Sequence, residues 1–459
     1  MRAFRKGWLI TVCCWLCPVL LTGSAVAADS IVWNKEKDRV SADVHGWPLE
    51  RLLKHVAAET GWQVYVEPDT TNVTSAKFSN LPPGDALRML LGDLNFAVMP
   101  QTNSRPHLYV FRTAMNHATQ LVKAVELGNQ RPGRVRPVPN ELIVRVKPGV
   151  DIDALAHELG ARVVGRIPEL NAYRLQFDDQ AAADAARNML ANNSDVSSVE
   201  NNYYVDPAPN PRGVTGITAA TPQLQLKPPP GSGRVVVGLV DTAVQPLGNG
   251  LDDFVTKRLS VNGDGTANSD TPMHGTTMAW DILSSLNTVT QGNSAARLIS
   301  VNVFGADGQT TTFNVAEGII TAVNNGANIL NLSLGSSGDS SLLRDTVSKV
   351  AADGIGMIGA AGNQPTGEPV FPAGYTGVMP VTALQGGRVA PYANVWGDVQ
   401  VAAPGASVMN YDGQTFLSQG TSVSTAITTG IAAGLKETTG QSWSQVQAAI
   451  RSRFPVPSK

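Results

Sequence analysis

The sequence predicts an α/β protein: a doubly wound, mostly parallel sheet in the C-terminal half, preceded by two small α+β domains. Three observations carry this. From residue 234 onward, apolar runs of five or six residues alternate with helical patterns, as strands buried on both faces require. Over 141–205 the runs follow the order strand, helix, strand, strand, helix, strand, which is ferredoxin-like. Over 30–115 two helical patterns sit among short β-rich runs. The length of 459 residues allows about two to four domains, and 42% hydrophobic with 16% charged residues permits a core. A formal charge of −2 offers nothing to nucleic acid.

Residues 1–27 read as a secretory signal: Arg2, Arg5 and Lys6, then the apolar stretch Leu9 to Leu21, then the small-residue cleavage site Ala25-Val26-Ala27. The apolar run is shorter than the ~20 residues a membrane span needs, so the mature chain is expected not to span a membrane. Cleavage removes three cations and no acid, taking the formal charge from −2 to −5, and removes Cys13, Cys14 and Cys17, the only cysteines. Thiol nucleophiles and thiolate metal sites are thereby excluded from the mature protein.

Residues 30–115 form the first small domain. Leu49, Leu52, Leu53 and Val56 recur at helical spacing, as do Leu87, Leu90, Leu91 and Leu94; Trp62 to Val66, Phe96 to Met99 and Leu108 to Phe111 read as strands. His45, His55 and His107 lack metal-ligand spacing. The pattern Val40-Ser41-Ala42-Asp43-Val44, Pro48-Leu49, Thr60-Gly61-Trp62, Leu81-Pro82, Ala86-Leu87 and Leu90-Leu91 resembles the short N-terminal domain of secretins and TonB-dependent receptors. That resemblance implies docking to an envelope protein partner and a Gram-negative periplasmic or secreted location.

Residues 128–140, with three prolines and three arginines, read as a linker. In 141–205, Glu141 to Lys147, Val163 to Ile167, Tyr173 to Phe177 and Val196 to Val205 read as strands. Ile152, Leu155, Ala156 and Leu159 mark one helix; Ala182, Ala185, Ala186 and Met189 mark another. The text Asn140-Glu141-Leu142-Ile143-Val144, Leu159-Gly160-Ala161 and Val199-Glu200-Asn201-Asn202-Tyr203 is similar to the propeptide of secreted subtilisins. The resemblance implies a domain that templates folding and plugs the active site until it is cut away. Residues 206–233, rich in Pro, Gly and Thr, read as an exposed linker open to self-processing.

In 234–459 the expected strands are Val235–Val240, Leu298–Val303, Ile329–Leu334, Gly356–Ala360 and Val378–Thr382. A parallel sheet of this kind places its site at the carboxyl ends of its strands. Asp241, Leu334-Gly335 and Asn363 fall at or just past such ends. His274 is the only histidine beyond residue 157 and opens a helix whose Ala279, Ile282, Leu283 and Leu286 share a face. Ser422 follows in Gly420-Thr421-Ser422. A serine hydroxyl needs a base within hydrogen-bond reach, and the base needs a carboxylate to fix its tautomer. Asp241, His274 and Ser422 supply acid, base and nucleophile in that chain order.

That order, with His274-Gly275-Thr276-Thr277-Met278-Ala279 and Gly420-Thr421-Ser422-Val423-Ser424-Thr425-Ala426 through Gly430, resembles the subtilisins over about 225 residues. The resemblance implies a serine endopeptidase with Asp241, His274 and Ser422 as its triad and protein or peptide substrates. It further implies Asn363, in Gly359-Ala360-Ala361-Gly362-Asn363, as an oxyanion donor, and Ser333, Leu334 and Gly335 as the strand that pairs with substrate backbone. Two departures stand out. Ala243 replaces the glycine of the family's Asp-Thr-Gly, a strain of about 1–2 kcal/mol if that backbone needs glycine. Ala426 replaces a proline.

Other hydrolases fit less well. No histidine follows Ser422, as an α/β-hydrolase requires. A sedolisin-type peptidase would have glutamate for His274 and aspartate for Asn363, and a zinc hydrolase would need more histidines or a cysteine. The alternative is an inactive or weak subtilase scaffold that serves as a periplasmic protein-binding module. No cofactor or metal site is assigned; calcium is compatible with the family, and Asn262-Gly263-Asp264-Gly265 reads equally well as a turn.

Overall fold

A computed structural model describes residues 30–34, 39–68, 70–99, 106–122, 135–205, 210–217, 219–227, 235–263, 270–306 and 308–457. The signal segment 1–27 lies outside the described residues, as do parts of the linkers around 128 and 230. The chain divides into two compact units, Met1–Gly128 and Asn129–Lys459.

The first unit comprises β1 (Ser30–Asn34), β2 (Arg39–Pro48), α1 (Leu49–Thr60), β3 (Gln63–Val66), β4 (Val73–Leu81), α2 (Pro83–Leu91), β5 (Asn95–Met99), β6 (His107–Phe111) and β7 (Gln120–Val122). The strands form two sheets, ordered β1-β2-β4 and β5-β6-β3-β7. Leu52, Leu53, Val56, Leu87, Leu90 and Leu91 are buried between them with Trp47. The expected second helix stops before Leu94, because Gly92 takes φ +59° and ends it. The domain also runs past residue 115: β7 pairs antiparallel with β3.

The second unit opens with β8 (Pro137–Val146), α3 (Ile152–Glu158), β9 (Arg162–Ile167), β10 (Ala172–Gln176), α4 (Gln180–Ala191) and β11 (Val196–Val205). This is the expected ferredoxin-like order, with both helices capped by aspartates, Asp151 and Asp179. Residues 137–140, read as linker, instead begin β8, since Pro137 pairs with Tyr203.

Residues 206–233, expected to be exposed linker, are mostly exposed where described, but they are pinned at several points. β12 (Arg212–Val214) pairs with a later hairpin, and Ala219 and Leu224 are buried. Asn410 clamps Ala219 from both sides of its peptide unit, and β13 (Gln225–Leu226) pairs with β16 (Asn293–Ser294).

The remaining elements are β14 (Val236–Asp241), β15 (Val255–Ser260), α5 (His274–Thr290), β17 (Arg297–Asn302), β18 (Thr310–Thr311), α6 (Thr312–Asn324), β19 (Ile329–Leu332), α7 (Ser341–Ala352), β20 (Gly356–Ala360), β21 (Val378–Gln385), β22 (Arg388–Val389), β23 (Val401–Pro404), β24 (Ala406–Tyr411), β25 (Gln414–Gln419), α8 (Thr421–Thr439) and α9 (Trp443–Arg453). The main sheet has the order β15-β17-β14-β19-β20-β21-β22, with β23 alongside β21, and only β22 runs antiparallel. It is the doubly wound, mostly parallel sheet expected. Successive strand residues feed opposite cores: Leu239, Leu298 and Ile329 face α5, α8 and α9, whereas Val240, Ile299 and Leu330 face α6 and α7. Ser442 and Gln445 form the expected capping box of α9. Among the described residues no helix is long and apolar enough to cross a membrane.

The ferredoxin-like domain lies on α6 and α7. Asn202, fully buried, accepts from Phe313 N–H and Thr312 Oγ1, both at 3.1 Å, and donates to Glu141 at 2.8 Å. The Glu200 carboxylate accepts from Ser341 N–H at 2.6 Å, Leu342 N–H at 2.8 Å and Ser340 Oγ at 3.3 Å. Two side chains two residues apart on β11 thus satisfy the free N–H groups at the starts of two helices, where a negative group is also favoured. Beyond them, Tyr204 and Val205 pair with Thr311 and Thr310, and Ser336 Oγ donates to Tyr204 C=O at 2.9 Å.

Candidate active site

Asp241 ends β14 and is 1% exposed. Its carboxylate accepts from Thr242 N–H at 2.7 Å and faces His274 Nδ1, at 2.8 Å from Oδ1 and 3.0 Å from Oδ2. With Nδ1–H held by the carboxylate, Nε2 is left as the basic nitrogen.

The helix that carries His274 is clamped to the end of β14. Gly275 N–H donates to Thr242 Oγ1 at 2.7 Å, and a Cβ on Gly275 would stand 2.2 Å from Thr242 O. The backbones approach so closely that only glycine fits. Gln245 reinforces the junction: its Oε1 accepts from Met273 N–H at 2.6 Å and Thr276 Oγ1 at 2.9 Å, while its own N–H donates to Thr276 Oγ1 at 3.0 Å. Ala243 has a negative φ and is buried, so the strain anticipated there is absent.

Ser422 is the second residue of α8 and is 4% exposed. Its helix lies against α5 in a defined register. A Cβ on Gly430 would stand 2.2 Å from Ile282 O, and one on Gly434 would stand 2.6 Å from Val289. Gly430 is eight residues beyond Ser422, and Ile282 eight beyond His274. The two helices therefore run alongside each other from the ends that carry Ser422 and His274. Among the described residues no hydrogen bond joins Ser422 Oγ to the imidazole. Two neighbouring serines are engaged elsewhere: Ser424 donates to Ala403 O and Pro404 O inside the core, and Ser418 is buried in β25 opposite Ser407. Ala426 is fully buried in α8, which continues through it unbroken.

Asn363 lies just past β20. Its Oδ1 accepts from Thr421 N–H at 2.8 Å and Thr421 Oγ1 at 3.1 Å. That fixes Oδ1 as the acceptor end of the amide and Nδ2–H as the donor end. Gly420, at φ +152°, is crowded: a Cβ would stand 3.0 Å from Asn363 Nδ2.

Ser333, Leu334 and Gly335 continue from β19 toward Ser422. Ser333 Oγ donates to Ser422 O at 3.0 Å and accepts from Asn331 Nδ2 at 2.9 Å, and Asn331 Oδ1 accepts from Thr429 Oγ1 at 2.9 Å. The side chain of Ser333 therefore ties sheet to helix. This network and Gln245 were not singled out from sequence. The glycines at 430 and 434, four apart on a helix, were a readable sign of close helix packing. Among the described residues no three His, Cys, Asp or Glu side chains cluster as metal ligands. Of the turn Asn262 to Gly265, Asp264 and Gly265 lie outside the described residues.

The Subtilase family matches residues 232–453, and the fervidolysin N-terminal prodomain matches residues 124–202. M-protease of Shouchella clausii is 35% identical over 179 residues, 38% of this chain and 47% of that protein. The thermophilic serine proteinase of Bacillus sp. strain AK1 is 26% identical over 314 residues, 66% of this chain and 78% of that protein. The chain spans about half the length of the first curated relatives it matches. Fervidolysin from Fervidobacterium pennivorans, a keratinolytic enzyme related to subtilisin, shares the fold at a TM-score of 0.52 and 19% identity, covering 69% of this chain and 57% of that one.

Proposed function

We propose that this chain, whose residues 232–453 fall in the Subtilase family, is a serine endopeptidase made as a precursor. The observation that carries the reading is the buried Asp241–His274 pair with α8 packed closely on α5 beside it. His274 Nε2 takes the proton of Ser422 Oγ as the oxygen attacks the peptide carbonyl. Asp241 stabilises the imidazolium. Asn363 Nδ2–H and the Ser422 backbone N–H hold the oxyanion. His274 then protonates the leaving amine, and water releases the acyl group. Every step uses side chains and backbone N–H groups of this chain. Extended peptide pairs along 333–335.

The first substrate is the chain itself, cut within 205–233. β11 ends beside Ser336, and β12 resumes against β25, the strand that leads into Gly420 and Ser422. Residues 206–209, between them, lie outside the described residues. The match to a prodomain over 124–202 supports this order of events. Residues 1–27 direct export, and residues 30–115 dock an envelope protein in the periplasm; mass spectrometry of the exported protein and its co-purifying partners tests both.

A fluorescent fluorophosphonate tests the chemistry. The processed protein should be labelled at Ser422 and should hydrolyse a protein substrate. Ser422→Ala and His274→Ala should each lower turnover by about 10⁶, and Ser422→Ala should leave the precursor intact. An unlabelled wild-type protein would mark the alternative, a subtilase scaffold that binds without cutting.

A further inference from the structure

The cap residue of α5 is Met273, whose side chain makes no capping bond. The start of this helix is held instead by the chain that leaves β14. Asp241 holds His274 Nδ1, and Thr242 Oγ1 accepts from Gly275 N–H at 2.7 Å. Gln245 grips the residues on either side of those two: its Oε1 accepts from Met273 N–H at 2.6 Å and from Thr276 Oγ1 at 2.9 Å. In a capping box the third helical residue, a Glu or Gln, reaches back to the N–H of the cap residue. Here that third residue is Thr276, and Gln245 accepts from Met273 N–H in its place. The amide is set in this sense by its other end, since Nε2–H donates to Thr271 O at 3.3 Å. The support beneath Gln245 is stiff. Pro246 follows it and restricts its backbone to extended conformations. Val244 and Leu247, on either side, are buried in the core that α5 lines. Arg258 Nε donates to Val244 O at 3.0 Å, and Asp252 accepts from Leu247 N–H at 3.1 Å. A side chain on such a support fixes what it holds. The four residues 273–276 are each tied to the stretch 241–245, and His274 is the second of them.

We propose that Gln245 is a positioning residue for the reaction: it replaces the missing cap of α5 and so fixes His274 against Asp241. It acts through the helix start and touches neither the substrate nor the reacting atoms. This rests on the endopeptidase reading above.

The test compares two variants of the processed protein. Gln245→Met keeps the length of the side chain and loses the acceptor. Gln245→Glu keeps the acceptor, at the end of a helix that favours a negative group. Both are assayed on a peptide p-nitroanilide and by the rate of fluorophosphonate labelling. Gln245→Met should lower kcat by about 10–10², the scale of a misplaced catalytic group, and leave KM within about twofold. Its labelling, which needs His274 and Ser422 but no bound peptide, should slow by a like factor. Gln245→Glu should recover most of the loss, to within about fivefold of wild type. A Gln245→Met protein that unfolds more readily in urea yet keeps the wild-type kcat has lost a structural bond alone and overturns the inference. A loss confined to KM overturns it, as does a Gln245→Glu no faster than Gln245→Met. If Gln245→Met does not fold, Gln245→Asn takes its place: the shorter side chain draws the amide back from Met273 N–H, and the same losses are expected. A wild-type protein that cuts no peptide and takes no fluorophosphonate defeats the endopeptidase reading and this inference with it. A labelled, active wild type beside an equally active Gln245→Met defeats only the role of Gln245.

Discussion

Asp281 sits two turns into α5, on the helix that presents His274, and is 3% exposed. Ser407 Oγ of β24 donates to its Oδ2 at 2.9 Å. Burial pushes its carboxyl up to about 8 from 3.8, against the smaller opposing pull of the Ser407 bond. A carboxyl raised in the folded state stays protonated there while the unfolded chain ionises. Its contribution is therefore most favourable below pH 4 and is lost as pH rises toward 8. At pH 7 the deficit spans about three pH units, or about 4 kcal/mol at 1.36 kcal/mol per unit. Asp281→Asn removes the ionisation. Its amide keeps an acceptor for Ser407 but brings a second N–H, which costs about 1–3 kcal/mol if unpaired. The two stability curves should cross. Wild type should be equal or better at pH 4.5, and Asp281→Asn should be better by about 1–3 kcal/mol at pH 8. Urea unfolding of both on a Ser422→Ala background, which prevents self-digestion, reads this directly. Parallel curves, or a variant that is weaker at every pH, would refute an ionisable burden at this position.

Four further outcomes are expected. Asn363→Ala should lower kcat by about 10²–10³ with little change in KM, measured against fluorophosphonate-titrated sites. Gly275→Ala must push α5 off Thr242 O, so it should cost about 1–3 kcal/mol of stability and about 10² in kcat through misplacement of His274; unfolding and steady-state kinetics report each. Glu200→Ala strips the acceptor from Ser340, Ser341 and Leu342, and should lower the melting temperature of the Ser422→Ala precursor, read by calorimetry. Burial first, opposed by Arg174 and aided by Glu169, pushes the Glu317 carboxyl on α6 up to about 7 from 4.5. Its favourable neutral state is lost as pH rises from about 4.5 through 7, so the precursor should loosen over that window. Glu317→Gln should flatten the calorimetric pH profile there.

The sheet was legible because each buried strand is an apolar run bounded by polar residues. Gly356–Ala360 was read to the residue, and Val235–Val240 is displaced by one. The run 329–334 overreaches, because the strand ends at Leu332 and the next residue, Ser333, turns its hydroxyl to Ser422 O. β15 escaped notice because Thr256, Lys257 and Arg258 on this edge strand face solvent, so no apolar run marks it. The docking of 210–227 was equally hidden. Its ties to β25 and β16 are backbone hydrogen bonds, which composition does not report. In the site, chain order and local motif pointed to Asp241, His274 and Ser422, and the structure pairs the first two, but the packing of α5 on α8 depends on atoms that meet only after folding. The concern over Ala243 came from its residue type; the backbone there is one that any residue adopts.

The same groups bear on both docking and cutting. Thr310 pairs with Val205, and Ser336, which holds Tyr204 C=O, directly follows the 333–335 backbone proposed to receive substrate. β11 therefore ends beside the segment that carries that backbone. Its hold comes chiefly from upstream, where Asn202 and Glu200 complete the starts of α6 and α7. Those anchors lie on the N-terminal side of any cut within 205–233, so a first cleavage would leave them unbroken. The released ferredoxin-like domain would remain seated by contacts that cutting does not touch. Freeing the site would then need a second event: loosening of the contact on α6 as Glu317 ionises, or proteolysis of the domain itself.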